Sequence, residues 1–373
     1  MRGVDVRSRA SMGTRRARML AAAVAAMMLV PLGGGVASAQ DRESDPIVAS
    51  QGLLADPVAP NGSRIVSSEI DGQYLTVQVY SAAMDTTIPV RVQRPHDASE
   101  PRPVLYLVNG AGGGTDSATW WANTDVGEFL TGQNVNVVMP LGGAFSYYTD
   151  WKREDPQLGM NKWQTFFLDE LPPLIDAALD TNGVQAIAAN SMTATAVLQY
   201  AIAKPGFYSA VAGYSGCAQT SDPVGREFVK LVVETWGGGD VRNMYGEDDD
   251  PAWVANDPVV NAEGLRGTRL FISDATGLPG PHDTLGNEFT IGEQDAALDQ
   301  QGLALANQVV VGGVIEAAVH WCTTNLQTRL RELDIPATFD LQPAGTHSWG
   351  YWQDAFHRSW PLLAEELGLP QPQ

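Results

Sequence analysis

The segment Gln185-Ala-Ile-Ala-Ala-Asn-Ser191-Met-Thr-Ala-Thr-Ala196 reads as a strand, a sharp turn and a helix, with a serine at the apex. A turn of that kind lifts the serine hydroxyl above the end of a sheet. It needs small residues two before and two after the serine, because strand and helix pack closely there. Glycine is usual at both places; here they are Ala189 and Thr193, so the G-x-S-x-G pattern is not matched. Taken alone, the segment is equally a helix with an ordinary serine cap.

A serine hydroxyl is a poor nucleophile until a base takes its proton. Of the five histidines, His347 stands in the Gly-containing loop Pro343-Ala-Gly-Thr-His-Ser-Trp-Gly-Tyr-Trp352, after the last predicted strand. That suits the chain order nucleophile, acid, base. His96, His282, His320 and His357 are more simply read as surface or core residues. The spacing of the histidines suggests no metal site, and none is expected. For the carboxylate, the residues alone offer Asp274, at the end of the predicted strand Arg269–Ser273, or Asp283 in the loop beyond.

The predicted strand Val104–Val108 runs into Asn109-Gly-Ala-Gly-Gly-Gly114, where a backbone can pass close to a substrate. A phosphate-binding loop would continue with Lys and Ser or Thr; the residues here are Thr115-Asp116. Acyl chemistry asks instead for two N–H groups aimed at a developing oxyanion. Met192 and Ala111 are placed to supply them.

The elements that must hold these residues follow from the apolar pattern. Tyr74–Tyr80 and Thr86–Val92 read as an antiparallel pair. Val104–Val108, Val135–Met139, Gln185–Ala189, Ala210–Tyr214, Arg269–Ser273 and Ala337–Leu341 then read as short strands, mostly apolar on both faces. Helical stretches fall between them at Asp125–Leu130, Trp163–Ala178, Met192–Ala203, Gly225–Thr235 and Val314–Leu333. The alternation predicts an α/β fold, a mostly parallel sheet covered on both faces, with its chemistry at the carboxyl ends of the strands.

The first 39 residues do not belong to that fold. Six arginines, an apolar run from Met19 to Leu32 and Ala37-Ser38-Ala39 read as a signal peptide cut after Ala39. Cleavage takes the net charge from −20 to −25, since six Arg and one Asp leave. Such a polyanion is repelled by nucleic acid and anionic lipid, so no nucleic-acid partner is expected. No transmembrane anchor is expected after cleavage, and the chain is expected to be secreted or held in the cell envelope. Residues 40–69 read as a loosely structured segment and 70–373 as one catalytic domain. Cys217 and Cys322 suit one disulfide in an exported protein, two buried thiols being the alternative.

Several segments in shared order carry a family resemblance. They are Leu107–Gly110, Val138-Met-Pro-Leu-Gly-Gly-Ala-Phe-Ser-Tyr-Tyr-Thr-Asp-Trp151, Lys162-Trp-Gln-Thr-Phe166 with Glu170-Leu-Pro172, Asn190-Ser-Met192, Asp250-Pro-Ala-Trp-Val-Ala-Asn-Asp-Pro258 and Gly345-Thr-His-Ser-Trp349. Over roughly residues 70–365 the chain resembles the antigen 85 mycolyltransferases and their corynebacterial relatives. The resemblance implies an α/β-hydrolase fold with Ser191 as nucleophile and His347 as base. Its acid is a helix glutamate, which falls on Glu316. It further implies two-step transfer of a mycoloyl group from an ester such as trehalose monomycolate, without a cofactor. The acceptor would be trehalose, arabinogalactan or a protein hydroxyl. Where trehalose-using members have Asp-Gly-Leu-Arg, this chain has Asn109-Gly110-Ala111-Gly112, so the sugar-holding arginine is absent. Asn109, Gly110 and the retained Trp349 are expected at the substrate. The segment near 277–312 is longer than the family pattern and reads as a lid or a surface excursion. A plain carboxylesterase and a catalytically silent envelope-binding protein remain the rival readings.

Overall fold

The computed structural model describes residues 57–287 and 298–370 together with Leu53, Ala55 and Phe289. The expected signal peptide, and most of the segment up to residue 56, lie outside the described residues. The described residues form a nine-stranded sheet in the order β1-β2-β3-β5-β4-β6-β7-β8-β9. Its strands are β1 Arg64–Asp71, β2 Tyr74–Ser81, β3 Thr86–Gln93, β4 Arg102–Val108, β5 Asn136–Pro140, β6 Thr181–Asn190, β7 Ala210–Tyr214, β8 Arg269–Ala275 and β9 Thr338–Gln342. β1, β2, β3 and β5 pair antiparallel; from β5 through β4 to β9 every pairing is parallel. This is the covered α/β sheet that the alternation predicts.

Burial explains both halves. In β2 every second residue is buried, as a half-covered antiparallel strand requires. β5 and β7 are buried throughout and β4 nearly so, because helices lie on both faces. Tyr106 and Val108 of β4 point into one core, Leu105 and Leu107 into the other. A helical stretch over 163–179, here α1, and α2 Met192–Ala203 contribute to the first core. α4, Trp349–Glu366, contributes Trp349, Trp352, Phe356 and Trp360 to the second.

β1 corrects one boundary, since residues 64–69 were expected in the loose segment. Only Ile65 of this strand is buried, so no apolar alternation marks it. It is held by backbone pairing to β2 instead. The buried Glu170 of α1 anchors this corner, accepting from Asn61 Nδ2 (2.6 Å), Ser63 Oγ (2.8 Å), Ser81 Oγ (2.5 Å) and the Ala83 N–H (2.9 Å).

After β8 the chain makes a loop. It resumes as helix Leu298–Asn307, a π-helical turn Gln308–Gly312 and α3, Gly313–Glu332, without a break. The stretch Asp299–Glu332 is long enough, and one 18-residue window within it apolar enough, to cross a membrane. Its buried Glu316, Cys322, Thr323, Leu326 and Leu330 are packed into the domain, however, which makes it a covering helix of the fold.

Candidate active site

The turn from β6 into α2 positions Ser191. Ser191 sits at φ 56°, ψ −132°, a conformation a side chain adopts only where the surroundings impose it. Its N–H is tied to the Tyr214 carbonyl of β7 (2.7 Å). Gly110 lies so close that a methyl there would stand 3.3 Å from both Ser191 Cβ and Asn190 Nδ2. Ala189 is buried, and Thr193 Oγ1 donates to the Asn109 carbonyl (2.6 Å), lacing α2 to the Gly-rich loop.

Ser191 Oγ and His347 Nε2 are 2.8 Å apart, and His347 Nδ1 lies 2.8 Å from Glu316 Oε2. Three elements meet here: the β6–α2 turn, the loop after β9 and the first turn of α3. Glu316 is 1% exposed and the His347 side chain 12%. The other carboxylate oxygen, Oε1, accepts from Ser215 Oγ (2.8 Å) and the Ala275 N–H (2.9 Å). With both oxygens engaged, the carboxylate cannot rotate away from the imidazole. Ser215 itself is held at φ 53° at the end of β7. The His347 N–H donates to the Gly312 carbonyl (3.2 Å), and Trp352 stands edge-on to the imidazole at 4.9 Å. Cys217 and Cys322 are bonded, tying the loop after Ser215 to the helix of Glu316.

The two aspartates offered by the residues alone go elsewhere. Asp274 Oδ1 lies 3.0 Å from His320 Nδ1, and burial pushes its carboxyl up to about 6. Asp283 faces Thr346, Gln308 and Tyr351.

Peptide geometry sets the direction of the two N–H groups expected to face an oxyanion. In a trans peptide the C=O and the following N–H point opposite ways. The Gly110 carbonyl accepts from the Gly113 N–H (3.0 Å), which turns the Ala111 N–H outward on the other side. The Ser191 carbonyl accepts from the Ala194 N–H (3.0 Å), and this does the same for the Met192 N–H at the start of α2. The loop 141–148 buttresses both residues. Its Phe145 N–H bonds the Ala111 carbonyl (2.8 Å), and its Tyr147 N–H contacts Met192 Sδ (3.2 Å). Phe145, Tyr147 and Tyr148 all take positive φ to make this turn.

Two expected substrate contacts are corrected. Trp349 is 4% exposed, its ring edge-on to Trp120 (5.6 Å) and Trp352 (4.9 Å); it belongs to the core under the sheet. Asn109 is fully buried, its Oδ1 accepting from the Trp120 N–H (3.1 Å), so it shapes the loop and does not face a substrate. Ser215 and Gly312 carry no signal in the sequence, since each acts through a hydroxyl or carbonyl on an ordinary residue; Thr193 is marked there only as an elbow position, not as a partner of the Asn109 carbonyl. Among the described residues, no group of three or more His, Cys, Asp or Glu is arranged to hold a metal.

Comparison with known proteins places the chain in a family. A family model described as a putative esterase matches residues 81–363. The diacylglycerol acyltransferase/mycolyltransferase Ag85A of Mycobacterium tuberculosis is 28% identical over 310 residues, 80% of this chain and 84% of that protein. Ag85B of Mycobacterium leprae is 28% identical over 300 residues, 78% and 83% of the two chains. Among solved structures, MPT51 of Mycobacterium tuberculosis superimposes with a TM-score of 0.60 at 23% identity, covering 80% of this chain and 99% of that one. An S-formylglutathione hydrolase from Agrobacterium tumefaciens gives 0.56 at 16% identity, covering 82% and 99%. At such identities the structural likeness speaks to the fold. The chain belongs to the putative esterase family, as an α/β-hydrolase-fold enzyme related to the Ag85 mycolyltransferases.

Proposed function

We propose that the chain is an exported acyltransferase in which Ser191 is the nucleophile, His347 the general base and Glu316 the orienting carboxylate. The observation that carries this reading is the unbroken relay from Ser191 Oγ through both ring nitrogens of His347 to Glu316, each step 2.8 Å. His347 Nε2 takes the serine proton as Oγ attacks the carbonyl carbon of an ester donor. Negative charge gathers on the carbonyl oxygen, facing the N–H groups of Ala111 and Met192. Glu316 steadies the imidazolium without itself being protonated. Collapse of the tetrahedral species breaks the ester bond, and the imidazolium hands its proton to the departing alcohol. An acceptor hydroxyl, deprotonated by the same imidazole, then attacks the acyl-serine and restores the free enzyme.

The donor is a mycolate-type glycolipid such as trehalose monomycolate, and the acceptor a hydroxyl of trehalose, arabinogalactan or protein. The kinship with the Ag85 mycolyltransferases supports this substrate class. Simple hydrolysis is the second reading, favoured by one observation: Gly112 replaces the family arginine, while Asn109 and Trp349 are buried, so the expected sugar contacts are missing. Incubation with trehalose monomycolate decides between them. Acyl transfer to trehalose or a serine peptide supports the first reading, and free acid alone supports the second. Turnover of p-nitrophenyl butyrate no higher in the wild-type chain than in Ser191→Ala, and no higher than in buffer, removes both and leaves a silent binding protein.

A further inference from the structure

Asp283 belongs to the long segment after β8, and four donors converge on its carboxylate. The Gly280 N–H (2.8 Å) and Tyr351 Oη (2.6 Å) reach Oδ2; Gln308 Nε2 (2.8 Å) and Thr346 Oγ1 (2.6 Å) reach Oδ1. A loop carboxylate with that many partners is a structural junction, and these partners are not arbitrary. Thr346 is fully buried and precedes His347 in the chain. Gln308 opens the π-helical turn whose last residue, Gly312, receives the His347 N–H, and Glu316 follows four residues later. Tyr351 lies on the first turn of α4, one residue before the Trp352 ring that flanks the imidazole. Beside this junction the backbone is zipped as well: the Gly345 N–H donates to the Leu278 carbonyl (2.7 Å) and the Gly277 N–H to the Gly345 carbonyl (2.9 Å).

Resting on the triad reading above, we propose that Asp283 is a positioning residue that locks the His347 loop against the acid helix. It acts through Thr346 on one side and through Gln308 and Gly312 on the other. The need for such a lock is physical. His347 stands on a loop, and the relay works only while both of its nitrogens stay within hydrogen-bond reach. Hydrogen bonds to a carboxylate are the stronger kind, and those from buried donors hold their geometry. The segment that looks like a lid in the sequence therefore has its near end built into the catalytic apparatus.

The test compares Asp283→Ala, Thr346→Val and Thr346→Ser in the full mature chain. Misplacing a catalytic group by about 1 Å costs on the order of 100-fold. Asp283→Ala and Thr346→Val are therefore expected to lower kcat for p-nitrophenyl butyrate by roughly 10- to 100-fold, with KM changed less than about twofold. Thr346→Ser keeps the hydroxyl and is expected to recover most of the rate. The double variant Asp283→Ala/Thr346→Val should be no slower than the worse single variant, because both remove one link. A purely structural Asp283 would lower the melting temperature and leave kcat within twofold in the folded fraction, which overturns the proposal. So does a Thr346→Ser as slow as Thr346→Val. A second readout does not depend on turnover, namely the downfield proton resonance of the His347 Nδ1–Glu316 hydrogen bond. Its loss in Asp283→Ala supports the lock and its persistence overturns it, even if Ser191→Ala shows the triad reading itself to be wrong.

Discussion

Replacing Glu316 by glutamine removes one charge and almost no volume, and the surroundings of the carboxylate decide what the amide must do. Oε1 receives two donors, Ser215 Oγ–H and the Ala275 N–H. An amide NH2 cannot take that place, so the glutamine oxygen settles there and the NH2 turns toward His347 Nδ1. A donor facing Nδ1 forces the imidazole proton onto Nε2, which then points N–H at Ser191 Oγ and can no longer accept its proton. The lost charge adds to this. A carboxylate and an imidazolium with centres roughly 4 Å apart attract by about 4 kcal/mol at an effective dielectric near 20, equivalent to nearly a thousandfold in rate. Both groups are well buried, so solvent does little to screen them. Glu316→Gln is therefore expected to lower kcat for p-nitrophenyl butyrate by about 10³- to 10⁴-fold. The inactivation rate by a fluorophosphonate should fall in parallel. Glu316→Ala leaves no amide to impose the wrong tautomer and should be at least as active as Glu316→Gln. A glutamine variant retaining more than about a tenth of wild-type turnover would refute the reasoning and return the acid's role to another carboxylate.

Three further outcomes are expected. Gly110→Ala places a methyl 3.3 Å from Ser191 Cβ and Asn190 Nδ2, so steady-state assays should show a clear loss of kcat, while calorimetry shows a melting temperature little changed. Cys217 and Cys322 close a loop of sequence separation 105. Cys217→Ser/Cys322→Ser should therefore lose about 4–5 kcal/mol in urea unfolding, on the chain-entropy account of such cross-links. Asp274, pushed by burial from 3.8 to about 6, holds its proton more tightly in the folded state than in the unfolded one. Its contribution to stability is thus fully present below its unfolded value and is lost as the pH rises through 6. This amounts to about 1.4 kcal/mol between pH 5 and pH 8. Asp274→Asn should flatten the pH dependence of unfolding by that much, and an unaltered profile would contradict the burial argument.

How much of this was legible in the sequence depended on what each residue does. β7 and α2 fall on the expected bounds, because apolar runs and an apex serine are local signals. β1 was not legible: an edge strand whose apolar residues Ile65, Val66 and Ile70 do not alternate is specified by its partner's backbone. Glu316 as the carboxylate facing His347 was legible only through the resemblance. Asp274 stands at the strand end where residue order would look for it, and Glu316 comes from a helix to bond the very next N–H, that of Ala275. Two carboxylates thus converge on one strand end, and only the three-dimensional arrangement says which of them reaches His347. Trp349 was misread for a similar reason, since an aromatic next to a catalytic loop reads the same whether it faces a ligand or, as here, Trp120.

The two substitutions that spoil the G-x-S-x-G pattern are the strongest sequence argument against an enzyme, and the structure answers each in physical terms. Glycine is favoured at those places because strand and helix nearly touch. At 189 the addition is one methyl group, buried within the apolar core. At 193 the larger side chain brings a hydroxyl, and that hydroxyl donates to the Asn109 carbonyl at 2.6 Å. The contact links the helix that presents Ser191 to the loop that carries the Ala111 N–H. A threonine therefore fixes, by a directional bond, a spacing that glycine at this position leaves to close packing alone. Ser191 and the Ala111 N–H, the proposed nucleophile and oxyanion donor, are held in register by this link, so the irregular pattern is compatible with catalysis and does not signal its loss.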